Sequence, residues 1–101
     1  MNECYTIKKI FFRFFKAVID DKKKFEVRNK ADGYSEGDIL VLRELDEVED
    51  ALTGRCCICT VDYVLDDEKY CLPGKVILGI TVQRIYNPFC YFCGCKCNEN
   101  K

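Results

Sequence analysis

Lys23, Glu26 and Arg28 place an ammonium, a carboxylate and a guanidinium within a six-residue stretch. Arg presents a rigid fork of donors to a phosphate or a base edge, Lys a mobile point charge, and Glu an acceptor for exocyclic amines. Such a trio suits recognition of RNA or a nucleoside. The plainer alternative is a surface ion pair between Glu26 and Arg28 with Lys23 solvated, and the residues alone leave the two balanced.

A second constellation lies near the C-terminus. Cys90-x-x-Cys93 has the spacing with which two thiolates grip one tetrahedral zinc, and Cys95 and Cys97 stand close enough to supply further ligands. Cys56, Cys57 and Cys59 could complete the shell, and the absence of histidine would make any such site all sulfur. Zinc is therefore the one cofactor the residues suggest, held by a tail that would act as a metal-binding or protein-interaction adaptor. Against it stands a cysteine-rich end that is merely open to oxidation. The nine cysteines are an odd number without an export signal, which favours reduced thiols or metal thiolates over a disulfide scaffold.

The elements that must position these groups can be read from periodicity. Ile10, Phe11, Phe14, Phe15, Val18 and Ile19 recur at three- and four-residue offsets between charged positions, predicting one amphipathic helix over about residues 8–20. Phe25 and Val27 alternate with Glu26 and Arg28, predicting a strand with the apolar pair inward and the Glu/Arg pair on the other face. A second strand runs from Ile39 toward Leu45. An acidic loop follows to about Asp50, in a stretch crowded with Glu44, Asp46, Glu47, Glu49 and Asp50, then a tight turn at Thr53-Gly54, and Cys57–Leu65 is the third strand. Leu72-Pro73-Gly74 is a turn before a long strand over Val76–Ile85. Tyr34, Tyr63, Tyr70 and Tyr86 could stack bases, but packing roles are the commoner use of such aromatics.

One helix with about four strands makes an α+β or barrel pattern. The 101 residues suffice for one domain, over residues 1–86, followed by a cysteine-rich tail at 87–101. Sixteen Lys and Arg against seventeen Asp and Glu exclude the strongly basic footprint of an avid nucleic-acid binder, so any such binding must come from a local patch. The Phe-rich run is interrupted by Arg13 and Lys16, so neither a membrane span nor a signal peptide is expected and the location expected is cytoplasmic.

Several segments, in order, resemble a known family: Lys23-Lys24-Phe25-Glu26-Val27-Arg28, Gly37-Asp38-Ile39-Leu40-Val41-Leu42-Arg43-Glu44, Thr53-Gly54-Arg55, and Leu72-Pro73-Gly74-Lys75-Val76-Ile77-Leu78-Gly79-Ile80. The series is similar to the ASCH-related, PUA-like proteins of bacteria and phages, over residues from about 5 to 85. The resemblance implies a small PUA-like β-barrel with one N-terminal amphipathic helix and a cleft that binds RNA or a modified nucleoside. Lys23, Glu26 and Arg28, with Arg43 and Arg55 from the quoted motifs, form the candidate ligand-binding set.

Binding is the leading expectation, and catalysis the lesser. Some small ASCH proteins are amidohydrolases acting on N4-acetylcytidine, with a lysine at the position matched by Lys23, which makes Lys23 and Glu26 the catalytic candidates. Their partner threonine corresponds to Glu26. A carboxylate beside an amine favours the ammonium form, which is the wrong one for a nucleophile or base. Glu68 is the candidate second acid by rough position only.

Overall fold

Hydrogen-bonded pairing between distant segments, more than local propensity, organises this chain. The computed structural model describes residues 5–87. Strand β1 (Tyr5–Phe11) leads directly into helix α1 (Phe12–Ile19), followed by β2 (Phe25–Asn29), a single 3-10 turn at Lys30–Asp32, β3 (Ile39–Asp46), β4 (Ala51–Leu65) and β5 (Lys75–Tyr86). The strands form one sheet in the order β1-β3-β4-β5-β2. Only β1 with β3 is parallel; the other three pairings are antiparallel.

The sheet curls into a half-barrel with α1 against its inner face. Phe15 and Val18 of the helix meet Leu40 and Leu42 of β3, Cys57, Cys59 and Val61 of β4, and Val76, Leu78 and Ile80 of β5 in one buried core. The strand members are two apart because successive side chains point to opposite faces. Phe15 is wholly enclosed, so its truncation to Ala should cost about 3–5 kcal/mol. Among the described residues no helix is long and apolar enough to cross a membrane.

Three predicted elements differ in the structure. The helix begins at Phe12 rather than near residue 8, because residues 5–11 pair in parallel with Ile39–Leu45. No capping side chain marks the boundary: the residue before the helix is Phe11, and it makes no side-chain cap hydrogen bond. The third predicted strand starts earlier, at Ala51, and Thr53-Gly54 is a bulge inside it rather than a turn. The register shift sets Thr53, Gly54 and Arg55 opposite Glu44 alone, and Gly54 takes a φ of +100° that a side chain would strain. The chain reverses instead at residues 47–50, where the Asp46 carboxylate accepts the amides of Val48 (2.9 Å) and Glu49 (3.2 Å).

The third difference concerns β2. Phe25 and Val27 are 46% and 48% exposed, whereas Glu26 is 4% exposed. The expected alternation is present with the opposite face inward. A two-residue period does not by itself say which face is buried, and here the polar face is the one that finds partners inside.

Candidate functional site

The inward carboxylate of Glu26 is bound on both oxygens. Oε1 accepts from Arg28 Nε (3.1 Å) and is ion-paired with its Nη2 at 2.9 Å, and Oε2 accepts from the Lys23 ammonium. Lys23 also donates to the Phe25 carbonyl (2.5 Å) and lies 4.6 Å from the centre of the Phe25 ring. The ammonium is thus held by a carboxylate, a carbonyl and an aromatic face. Lys23 and Arg28 side chains are each only 17% exposed. A carboxylate this enclosed is tolerated because two cations and directed hydrogen bonds replace its water.

Arg28 reaches further. Its Nη2 donates to the Lys9 carbonyl of β1 (3.2 Å). Since β1 and β2 are the two edges of the sheet, Arg28 ties the edges together where no backbone ladder does. A second tie is Lys8 of β1 to Asp32, just after β2, at 3.0 Å. Tyr34 donates to the same carboxylate (3.3 Å), and its phenol is pushed up to about 12, first by burial and then by the Asp32 charge. The Lys8 hydrogen bond holds the Asp32 carboxyl below the usual range.

Along this seam lies a cleft of about 380 Å³. Lys9 and Phe11 of β1, Phe14 of α1, Glu26 and Arg28 of β2, and Leu45 of β3 form its walls. Phe11 and Phe14 remain 41% and 39% exposed. The cleft therefore combines half-open aromatic rings with a charged floor, which suits a ligand that is flat and apolar on its faces and polar at its edge.

The other sequence candidates stand apart from this cluster. Arg55 is committed to Glu44: Nε donates to Oε1 (2.9 Å) and Nη2 to Oε2 (2.7 Å), while Thr53 Oγ1 adds a bond to Oε1 (2.5 Å). Its guanidinium also lies 5.2 Å from the centre of the buried Phe15 ring. Burial pushes Glu44 up, but the bonds from Arg55 and Thr53 and the Arg55 charge outweigh it, leaving the carboxyl below its ordinary value. Arg43 is exposed on the opposite face of β3 from Leu42 and Glu44. Glu68 lines a different hollow with Lys30 and Lys75, beyond the Asn29 end of β2, whereas Lys23 precedes the Phe25 end.

Cys90, Cys93, Cys95 and Cys97, and with them the zinc expectation, lie outside the described residues. Cys57 and Cys59 are buried in the core with sulfurs 3.8 Å apart, and Cys56 is on the other face of β4, so these three do not converge on one ion. The hydrogen bond with the Cys59 thiol, and then burial, push Cys57 far up, so it behaves as an inert core side chain. Among the described residues no three potential metal ligands come together.

The residues sequence reasoning missed are Glu44, Lys8, Asp32 and Lys9. Glu44 looked like part of a solvated acidic run. Its position two residues beyond Leu42 in an alternating strand was the available signal, since it continues the inward face. For Lys8, Asp32 and Lys9 no local signal existed, because their roles depend on the two sheet edges meeting.

No curated protein matches this chain. Residues 6–80, which include the seam, the core and both buried carboxylates, match the family model described as Domain of unknown function (DUF3850), and the chain belongs to that family.

Proposed function

We propose that this chain is an ASCH-related, PUA-like domain that binds RNA or a nucleoside in the seam cleft. The observation that carries this reading is the enclosed Glu26 carboxylate, clamped by Lys23 and Arg28 beside a cleft walled by Phe11 and Phe14. A merely structural ion pair does not require half-exposed aromatic rings next to it, whereas base recognition uses both a stacking surface and a fixed polar edge. The sequence motifs similar to ASCH proteins run through the same β2 strand. The amidohydrolase alternative is weaker, because Lys23 is engaged by Glu26 and by the Phe25 carbonyl and offers no free amine.

The test is a binding titration of the protein with short single-stranded RNAs and free nucleosides, repeated on Arg28→Lys and Phe14→Ala. Arg28→Lys keeps a cation beside Glu26 but removes the guanidinium with its Nη1 donor, unused among the described residues, and a lost hydrogen bond to a charged group corresponds to about 1.5–3 kcal/mol of recognition. Phe14→Ala removes a stacking surface worth about 1–3 kcal/mol per base. Both variants should bind tenfold or more weakly while melting as cooperatively as the parent. Parent protein that binds none of these ligands, or variants that bind as well as the parent, would overturn the proposal.

A further inference from the structure

Resting on that reading, we infer that the seam takes an anionic nucleotide, its phosphate between Lys9 and Arg28 and its base on the Phe11 and Phe14 side, rather than a neutral nucleoside. The first reason is the donor and acceptor inventory. Both Glu26 oxygens already accept hydrogen bonds from Arg28 and Lys23, so the carboxylate has little left to offer an incoming amine. Arg28 has a different balance. Nε and Nη2 are used on Glu26 and on the Lys9 carbonyl, while Nη1 has no hydrogen-bond partner among the described residues. The Lys9 ammonium likewise has no ion pair among them. A ligand entering the cleft therefore meets unused donors, and it must bring acceptors.

The second reason is charge. Two cations, Lys9 and Arg28, line the cleft with one carboxylate, Glu26, and Lys23 pairs with that carboxylate from outside the lining, so the site is cationic in a chain whose formal charge is −1. Arg13 is near as well, 4.7 Å from the centre of the Phe14 ring, but it is partly answered by Glu47 at 3.8 Å. A local positive pocket on a weakly acidic protein selects anions and repels little else. The third reason is shape. The aromatic side of the cleft would be idle against inorganic phosphate or an aliphatic acid, whereas a nucleotide uses both halves.

A phosphate that accepts from Lys9 and Arg28 gains charge-assisted bonds that the nucleoside lacks. Calorimetric titration of the intact protein with the four ribonucleosides and their 5′-monophosphates reads this directly. For the best-bound base, the monophosphate should bind about tenfold or more tightly than the nucleoside, the usual scale of a hydrogen bond to a charged group. Raising the salt concentration, or Lys9→Ala, should shrink that ratio, and Lys9→Arg should restore it. Lys9 is exposed on an edge strand, so its truncation should leave the melting curve in place.

Equal affinity for nucleoside and monophosphate would overturn the phosphate assignment and leave the nucleoside-binding reading standing. Displacement of the nucleotide by inorganic phosphate or by poly-glutamate at matching concentration would overturn the nucleotide class, the second outcome pointing to an acidic protein partner. Failure of every nucleoside, nucleotide and RNA to bind would remove the parent reading itself.

Discussion

Among the described residues Glu44 and Glu26 are the two buried charged side chains, both on the inner face of one sheet, and their surroundings differ in a way that separates structure from function. Glu44 meets one arginine whose fork covers both its oxygens, plus a threonine hydroxyl, and the bulge at Thr53–Arg55 exists to deliver the two. Glu26 is shared between two cations that approach from different sides, one of which continues to the other edge of the sheet. The first arrangement is closed on itself. The second borders a cleft and leaves donors unused. A carboxylate with a self-contained partner set anchors the fold; one whose partners have spare valence can also address a ligand.

The largest effect expected from this contrast is on stability. Glu44→Ala leaves the Arg55 guanidinium without its partner beneath the helix and should cost about 3–5 kcal/mol, the scale for removing one member of a buried pair. Glu26→Ala should cost less, about 1–3 kcal/mol, because Lys23 keeps the Phe25 carbonyl and Arg28 the Lys9 carbonyl as acceptors, whereas among the described residues the Arg55 guanidinium hydrogen bonds all go to Glu44. Urea denaturation of the two variants checks the order. Equal losses would break the comparison, since the seam would then be as closed as the Glu44 station.

A pH series sharpens the same contrast. The Glu44 carboxyl sits below its ordinary value in the folded protein, so its contribution is fully present above the unfolded carboxylate pKa and disappears as pH falls through the lower folded value. Glu44→Gln should therefore trail the parent in stability most at neutral pH, and the gap should close in acid. A gap constant with pH would mean that packing of the amide, not the charge, is responsible.

Much of this architecture was legible in the sequence, and the losses share a cause. The β3 and β5 strands announce themselves through β-branched runs, and the face of α1 that carries Phe15 and Val18 follows from its period. The residues of the Glu26 cluster were identifiable by type and spacing. Their orientation was not, because apolar Phe25 and Val27 outcompete a charged pair in any rule based on hydrophobicity alone, and only the meeting of β1 and β2 explains the inversion. Residues 5–11 failed for the same reason: their strand is made by parallel pairing with β3, more than thirty positions away. Residues 5–11, with Lys8-Lys9 and Ile10-Phe11 as like pairs, lack a clean two-residue period and run straight into an uncapped helix, so no local signal marks the boundary.

The smallest effect expected is at the seam's second tie. Lys8 and Asp32 are joined at 3.0 Å with side chains about a third exposed, so Lys8→Ala should change global stability at the limit of measurement. Its consequence should be local. β1 is held along one edge by the β3 ladder, and among the described residues the polar ties across its other edge are Lys8 to Asp32 and Arg28 to the Lys9 carbonyl. Loss of one tie should raise the amide exchange rates of β1 residues, because an edge strand opens by fraying without global unfolding. The β4 amides, paired on both sides, should be unaffected. If β1 and β4 amides change together, the edge does not move independently, and the seam is part of the same cooperative unit as the Glu44 station. If β1 alone changes, the cleft wall that carries Lys9 and Phe11 can shift against β2, giving a ligand a route in that the closed Glu44 station lacks.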